Sequence, residues 1–234
     1  MKKPTPASFI DNEAFLYERL RTRPGIKLEI VSGGAGYGQK AREMLARQVW
    51  CENAREGYRG FDHTEEGAPL LFGDTPEMEL QRVSVSHTKG LYAVATLPPA
   101  PEGTDLEKFS PVTALGVDVE ASDRIKVLDV RSRFLNEEEL SLVPENDVQA
   151  NIIAWTCKEA MLKLSLTPGI DFRKGLTFSS LPVLNEKEGK GKVRFQNGTE
   201  IDVLLYSLSL LNGKYILTLA YTPSTLRFGN VSPS

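Results

Sequence analysis

Cysteine and histidine are scarce: Cys51, Cys157, His63 and His87 are the only such residues among 234. Two thiols cannot supply the disulfide framework of a small secreted domain, and neither the thiols nor the imidazoles stand at zinc-ligand spacing. A divalent metal in this chain is therefore expected on oxygen ligands. An excess of one charge is also missing, because 28 Lys and Arg face 31 Asp and Glu for a formal net charge of -3. That balance provides no global basic surface to collect nucleic acid or an anionic membrane. Long hydrophobic runs are absent as well. The uncharged run Val203 to Leu211 falls far short of the roughly 18 apolar residues of a membrane-spanning helix. Lys2-Lys3 leads into Pro and Thr, not into an apolar leader. The reading is a soluble, cytoplasmic protein with no nucleic-acid and no membrane partner.

What is present is globular in kind. The hydrophobic share is 41% and the charged share 25%, which excludes wholesale disorder. At roughly 150 residues per domain, the length predicts one sizeable domain or two small halves. Asp11 is placed to cap a short helix carrying Phe15, Leu16 and Leu20, stopped by Pro24-Gly25. A strand is expected at Lys27 to Val31, then a glycine-rich turn from Ser32 to Gly38, then a helix from Gln39 that Gly57 ends. Val83, Val85, Tyr92 and Val94 around Thr88-Lys89-Gly90 read as a hairpin. The run Pro98, Pro99, Pro101 and Gly103 reads as a linker, and a boundary near residue 108 divides the chain into 1–108 and 109–234.

The second half opens with an apolar strand over Val112 to Val119. Asn136 and Glu139 stand at capping-box spacing at the head of a short helix, and a longer helix is expected from Asp147 to Leu166, ended by Pro168-Gly169. Beyond it, Asn197-Gly198 and Asn212-Gly213 mark two hairpins. Each half thus reads as strand, helix, hairpin, which predicts an α+β fold of two pseudo-symmetric halves.

Two segments carry chemistry. In Gly116-Val117-Asp118-Val119-Glu120, side chains two apart on a strand point to one face, so Asp118 and Glu120 present two carboxylates together, an arrangement suited to a hard cation. A solvated strand edge would show the same alternation. In Trp155-Thr156-Cys157-Lys158-Glu159-Ala160-Met161-Leu162-Lys163, Glu159 and Lys163 fall one helical turn apart, which a simple surface ion pair would also explain.

Together and in this order, the two segments resemble the signature motifs of the 4′-phosphopantetheinyl transferases. Val83-Ser84-Val85-Ser86-His87 is similar to the Ser-His segment that precedes them in the larger, monomeric surfactin-type members, which also have a two-halved pseudo-symmetric α+β fold. The resemblance implies a Mg²⁺-dependent transferase of the holo-[acyl-carrier-protein] synthase type, with Mn²⁺ as the other metal. It would move phosphopantetheine from coenzyme A to a serine of an apo acyl, peptidyl or polyketide carrier protein and release adenosine 3′,5′-bisphosphate. It implies Asp118, Glu120 and Glu159 as metal ligands, and Glu159 as the base for the attacking serine, a metal-held water being the rival. Lys163 and Lys158 would meet the coenzyme phosphates, together with Ser86 and His87. A monomer would suffice.

The sequence departs from that pattern at Ala68 in Thr64-Glu65-Glu66-Gly67-Ala68-Pro69, where relatives place a coenzyme-contacting lysine. Lys40 and Arg42, at the start of the Gln39 helix, are the expected replacements, since a helix N-terminus also favours anions. Arg131 and Arg133 would meet an acidic carrier, whereas Val148, Ile152 and Trp155 are assigned to the core. A nucleotide-binding loop is the competing reading of Ser32 to Gly38. It fails at Gln39, where Lys is required, and at Ala41, where Ser or Thr is required. A non-catalytic relative that binds coenzyme A or a carrier protein is the remaining alternative, supported only by Ala68.

Overall fold

The structure, a computed structural model, describes residues 15–20, 26–33, 58–63, 69–73, 83–88, 91–96, 114–167, 169–210 and 213–222. In chain order these form strands β1 (Phe15–Leu20), β2 (Lys27–Gly33), β3 (Tyr58–His63), β4 (Pro69–Gly73), β5 (Val83–Thr88), β6 (Leu91–Thr96) and β7 (Leu115–Ala121). Helices α1 (Val127–Phe134), α2 (Glu137–Leu142) and α3 (Val148–Ser165) follow. The last strands are β8 (Leu176–Thr177), β9 (Val183–Leu184), β10 (Glu188–Phe195), β11 (Glu200–Leu210) and β12 (Gly213–Tyr221). The content is mixed, as an α+β fold requires.

A four-stranded sheet has the order β1-β2-β6-β5, and a six-stranded sheet the order β7-β12-β11-β10-β8 with β9 beside β10, while β3 and β4 pair separately. Alternation along β7 explains how the layers stack. Leu115, Val117 and Val119 join Leu28, Ile30, Leu91, Ala93 and Ala95 in a core between the two sheets. The opposite face of the six-stranded sheet packs under α3, where Ile152, Cys157, Ala160 and Met161 meet Val203, Leu205 and Ile216. A strand covered on both faces reads as a nearly continuous apolar run, as β12 does.

Gly116 sets how closely α3 approaches β7. A Cβ there would come within 2.6 Å of the Leu164 nitrogen and closer still to the Ala160 carbonyl oxygen. Glycine is the residue that lets helix and strand backbones come this near.

Local chemistry accounts for the helix ends. Asn136 Oδ1 accepts from Glu139 N at 2.9 Å while Glu139 Oε2 accepts from Asn136 N at 3.0 Å, the reciprocal capping box expected from the spacing. Asp147 caps α3 by accepting from Ala150 N at 3.0 Å, and Leu166 ends that helix in the left-handed region at φ 51°. Gly198, at φ 87°, makes the β10–β11 turn possible.

Three differences from the sequence reading stand out. Residues 15–20 are a strand, not a helix: they pair antiparallel with β2 from Phe15–Gly33 to Leu20–Leu28. The aromatic pair in Phe-Leu-Tyr suits a strand, and cross-strand pairing overrides the helical spacing of Phe15, Leu16 and Leu20. Helix α1 was not anticipated, although Val127, Val130 and Phe134 stand at i, i+3 and i+7. The β3–β4 hairpin was also unanticipated. The remainder of the glycine-rich turn beyond Gly33, the Gln39 helix with Lys40 and Arg42, Ala68, and the division near residue 108 lie outside the described residues. No helix among the described residues is long and apolar enough to cross a membrane.

Candidate active site

The edges of the two sheets meet where β5 runs alongside β7 in the same direction. Strand β7 is hydrogen-bonded to β12 on one side, which leaves alternate backbone N–H groups facing the other way. Hydroxyl groups of β5 satisfy them: Ser84 Oγ accepts from Val117 N at 2.9 Å and Ser86 Oγ accepts from Val119 N at 3.3 Å. The same row reaches the acidic side chains. Ser86 Oγ donates to Asp118 Oδ1 at 2.7 Å, and Thr88 Oγ1 donates to Glu120 Oε2 at 3.0 Å.

Helix α3 supplies the other wall. Trp155, Glu159 and Lys163 are spaced by four along the helix and share one stripe. Lys163 Nζ donates to Asp118 Oδ1 at 2.8 Å, with side-chain exposures of 29% and 7%. Glu159 is half-buried and holds its proton more tightly than an ordinary glutamate, first because of burial and next because of the Asp118 charge; Lys163 and Arg124 offset part of this. Glu120 is paired with Arg124, one turn beyond the end of its strand. Behind the acids, Thr156 Oγ1 and Thr218 Oγ1 share a hydrogen bond of 2.8 Å, and Thr218 is the cross-strand partner of Asp118. These contacts hold α3 in register with the acidic strand.

Among the described residues, no three His, Cys, Asp or Glu side chains are grouped closely enough to hold a metal by themselves. Asp118 Oδ2, however, is buried without a hydrogen-bond partner, and an ionised acceptor left in that state is costly. Together with the influence of the Asp118 charge on Glu159, it leaves negative charge incompletely balanced. Mg²⁺ is commonly held by one or two carboxylates plus substrate phosphates. On that donor chemistry Asp118 and Glu159 fit a hard cation, and Glu120 fits as a further ligand in exchange for Arg124.

The geometry joins Asp118 directly to Ser86 and Lys163, places Glu159 within reach of the Asp118 and Lys163 charges, and pairs Glu120 with Thr88 and Arg124. It separates two residues expected to work alongside them. His87 follows Ser86 on the strand and points to the other face, where it is exposed and stacks on Tyr92 at 5.5 Å. Lys158, expected near the coenzyme phosphates, is fully buried on another side of α3. Its ammonium donates to Phe134 O at 2.7 Å, Glu139 Oε2 at 2.5 Å and Phe172 O at 2.8 Å, so every donor is used within the fold.

The arginines divide similarly. Arg131 donates to Asn151 Oδ1 at 3.2 Å and Val143 O at 2.7 Å. Arg133 and Arg124 instead line a cavity of about 300 Å³ with Val127, Val130, Phe134, Trp155 and Phe172. Trp155 is half-buried there, edge-on to Phe134 at 5.2 Å and stacked on Phe172 at 5.7 Å, so it forms a cavity wall as well as core.

Gly116, Thr88, Arg124 and Thr218 were not singled out individually by sequence reasoning. Gly116 stood inside the quoted motif, and Thr88 continues the alternate hydroxyl pattern of Ser84 and Ser86. Arg124 and Thr218 are placed only by the fold. No curated protein matches the chain. Residues 114–220, which run from the start of β7 to near the end of β12 and contain the three acids and Lys163, match the family model of the 4′-phosphopantetheinyl transferase superfamily.

Proposed function

We propose that this protein transfers 4′-phosphopantetheine from coenzyme A to a serine of an apo carrier protein, with a divalent cation as cofactor, and releases adenosine 3′,5′-bisphosphate. The observation that carries this reading is Asp118: one oxygen is fixed by Ser86 and Lys163, while the other is buried and unpaired. It lies inside the segment that matches the transferase superfamily.

Mg²⁺ or Mn²⁺, held by Asp118 and Glu159 with Glu120, would neutralise charge on the diphosphate of coenzyme A. The chain's own residues account for the rest. Lys163 presents a fixed positive charge to the phosphates at the mouth of the site. Glu159, half-buried on the stripe of α3 that carries Lys163, takes the proton of the attacking serine. Lys40 and Arg42 are assigned to the outer phosphate contacts, whereas His87, stacked on Tyr92 on the opposite face of β5 from Ser86, is left out of them. The apolar cavity, with Arg124 and Arg133 at its lining, suits an acidic carrier that presents an apolar side chain beside its serine.

The test is the intact mass of several apo acyl, peptidyl and polyketide carrier proteins after incubation with this protein, coenzyme A and Mg²⁺, with and without a chelator. A chelator-sensitive gain of one phosphopantetheine group is expected on at least one carrier. Coenzyme A binding with no gain on any carrier would replace the transferase reading with that of a non-catalytic binding relative.

A further inference from the structure

The hydroxyl row on β5 does more than close the edge of a sheet. Two of its members make the same backbone contact: Ser84 accepts from Val117 N and Ser86 accepts from Val119 N. Both serines are buried, at 3% and 4% exposure. Only Ser86 goes on to donate its hydrogen to an acid, at 2.7 Å to Asp118 Oδ1. A hydroxyl that accepts from a rigid backbone N–H has its remaining hydrogen directed by that contact. Together with Lys163, which donates to the same oxygen at 2.8 Å, the bond fixes which Asp118 oxygen is occupied and leaves Oδ2 unpartnered. Thr88 makes the corresponding contact with Glu120 Oε2 at 3.0 Å.

We propose that Ser86 and Thr88 are positioning residues that aim the Asp118 and Glu120 carboxylates for cation binding, and that the four-stranded sheet thereby sets the geometry of acids carried by the other sheet. This inference rests on the cation-dependent reading above. It gives Ser86 a role different from direct contact with the coenzyme phosphates, because its single hydrogen is already donated to Asp118. Partners that orient a metal's ligands typically change metal affinity about 10- to 100-fold when removed.

The test is calorimetric titration of Mn²⁺ into the protein with coenzyme A present, alongside the KM for coenzyme A in the transfer assay. Ser84→Ala is the control, since it removes the matching backbone contact without touching an acid. Ser86→Ala is expected to weaken Mn²⁺ binding by about tenfold or more, while Ser84→Ala retains wild-type affinity and Ser86→Thr, which keeps the hydroxyl, restores it. Should Ser86→Ala fail to fold, Ser86→Cys preserves the size with a much weaker donor and is expected to show the same loss in part. Thr88→Val against Thr88→Ser repeats the comparison at Glu120.

Equal affinities in Ser86→Ala and wild type would overturn the proposal. So would equal losses in Ser84→Ala and Ser86→Ala, which would reduce the row to edge closure. A raised KM for coenzyme A with unchanged Mn²⁺ affinity would overturn it in favour of direct phosphate contact. A wild type that takes up no Mn²⁺ would sink the underlying cation reading; uptake with an unaffected Ser86→Ala variant would sink only the positioning role.

Discussion

Helix α3 carries two lysines that each meet a carboxylate at short range, and their surroundings differ in nearly every respect. Lys158 meets Glu139 at 2.5 Å with side-chain exposures of 0% and 1%, whereas Lys163 meets Asp118 at 2.8 Å with exposures of 29% and 7%. At the first pair every polar atom is engaged. Lys158 also reaches the Phe134 and Phe172 carbonyls, and Glu139 also accepts from Asn136 N and from Phe178 N at 3.0 Å. At the second pair Asp118 Oδ2 has no partner. A saturated pair ties α1, α2 and α3 together and has no capacity left for a ligand. The incompletely satisfied pair has that capacity, so the contrast separates a structural pin from a candidate binding site more clearly than residue type does.

The largest way to test the contrast is to remove one partner of the saturated pair. Lys158→Met leaves Glu139 buried and uncompensated, and is expected to lower stability by about 3 to 5 kcal/mol, measured as a shift in the urea midpoint. Adding Glu139→Gln should recover part of that loss, because the uncompensated charge is then gone. Burial lowers the Lys158 pKa while Glu139 resists that fall. The pair is thus held against a desolvation penalty, and the double variant measures how closely the two effects balance.

Gly116→Ala tests the support beneath the second pair. The new methyl would collide with α3 backbone, and overpacking of this kind destabilises by about 1 to 3 kcal/mol. Transfer should fall further than stability, since Glu159 and Lys163 move away from Asp118 when the helix shifts. An unchanged transfer rate would show that the approach of α3 to β7 does not set the site.

Lys163→Met should behave in the opposite way to Lys158→Met. Lys163 is partly exposed while Asp118 is buried, so water takes part of the place of the lost ammonium and the stability loss is expected to be smaller than that of Lys158→Met, whereas removing a charge that stabilises the transition state lowers the rate by about 100-fold or more. Rate and urea midpoint measured on the same sample decide the point.

The smallest effect concerns pH. The Glu159 pKa is raised above its ordinary 4.5, so the folded state binds this proton more tightly than the unfolded state. Its contribution is unperturbed below the unfolded value and becomes increasingly destabilising as pH rises through that value toward the higher folded one. Without added metal, Glu159→Gln should therefore flatten the loss of stability on the alkaline side of pH 4.5. Thermal unfolding across that range checks the sign.

How much of this was legible in the sequence depended on how local each signal was. The capping box at Asn136 and Glu139, the hairpins at Gly198 and Gly213, and the β5–β6 hairpin depend on a few neighbouring residues and were readable. The carboxylates of β7 and the Glu159–Lys163 turn were also readable, because strand and helix periods place side chains on known faces. Residues 15–20 misled because their helical spacing and their strand composition conflict, and pairing with β2 decided between them. Lys158 and Lys163 could not be told apart from sequence. Both follow from the same helical segment, and only tertiary placement buries one among carbonyls and leaves the other at the edge of the acidic site. Ser86 and His87 show the limit from the other side: adjacent in sequence, they face opposite ways on a strand.

The most direct test of the account is the transfer rate of Asp118→Asn, followed by the intact mass of an apo carrier that the wild type modifies. Asparagine keeps an acceptor for Ser86 and Lys163 but removes the charge at the unpaired position. The account predicts an unfolding midpoint close to wild type and loss of phosphopantetheine transfer. Transfer at the wild-type rate would contradict it, by showing that the unpaired Asp118 oxygen is not where the chemistry is held.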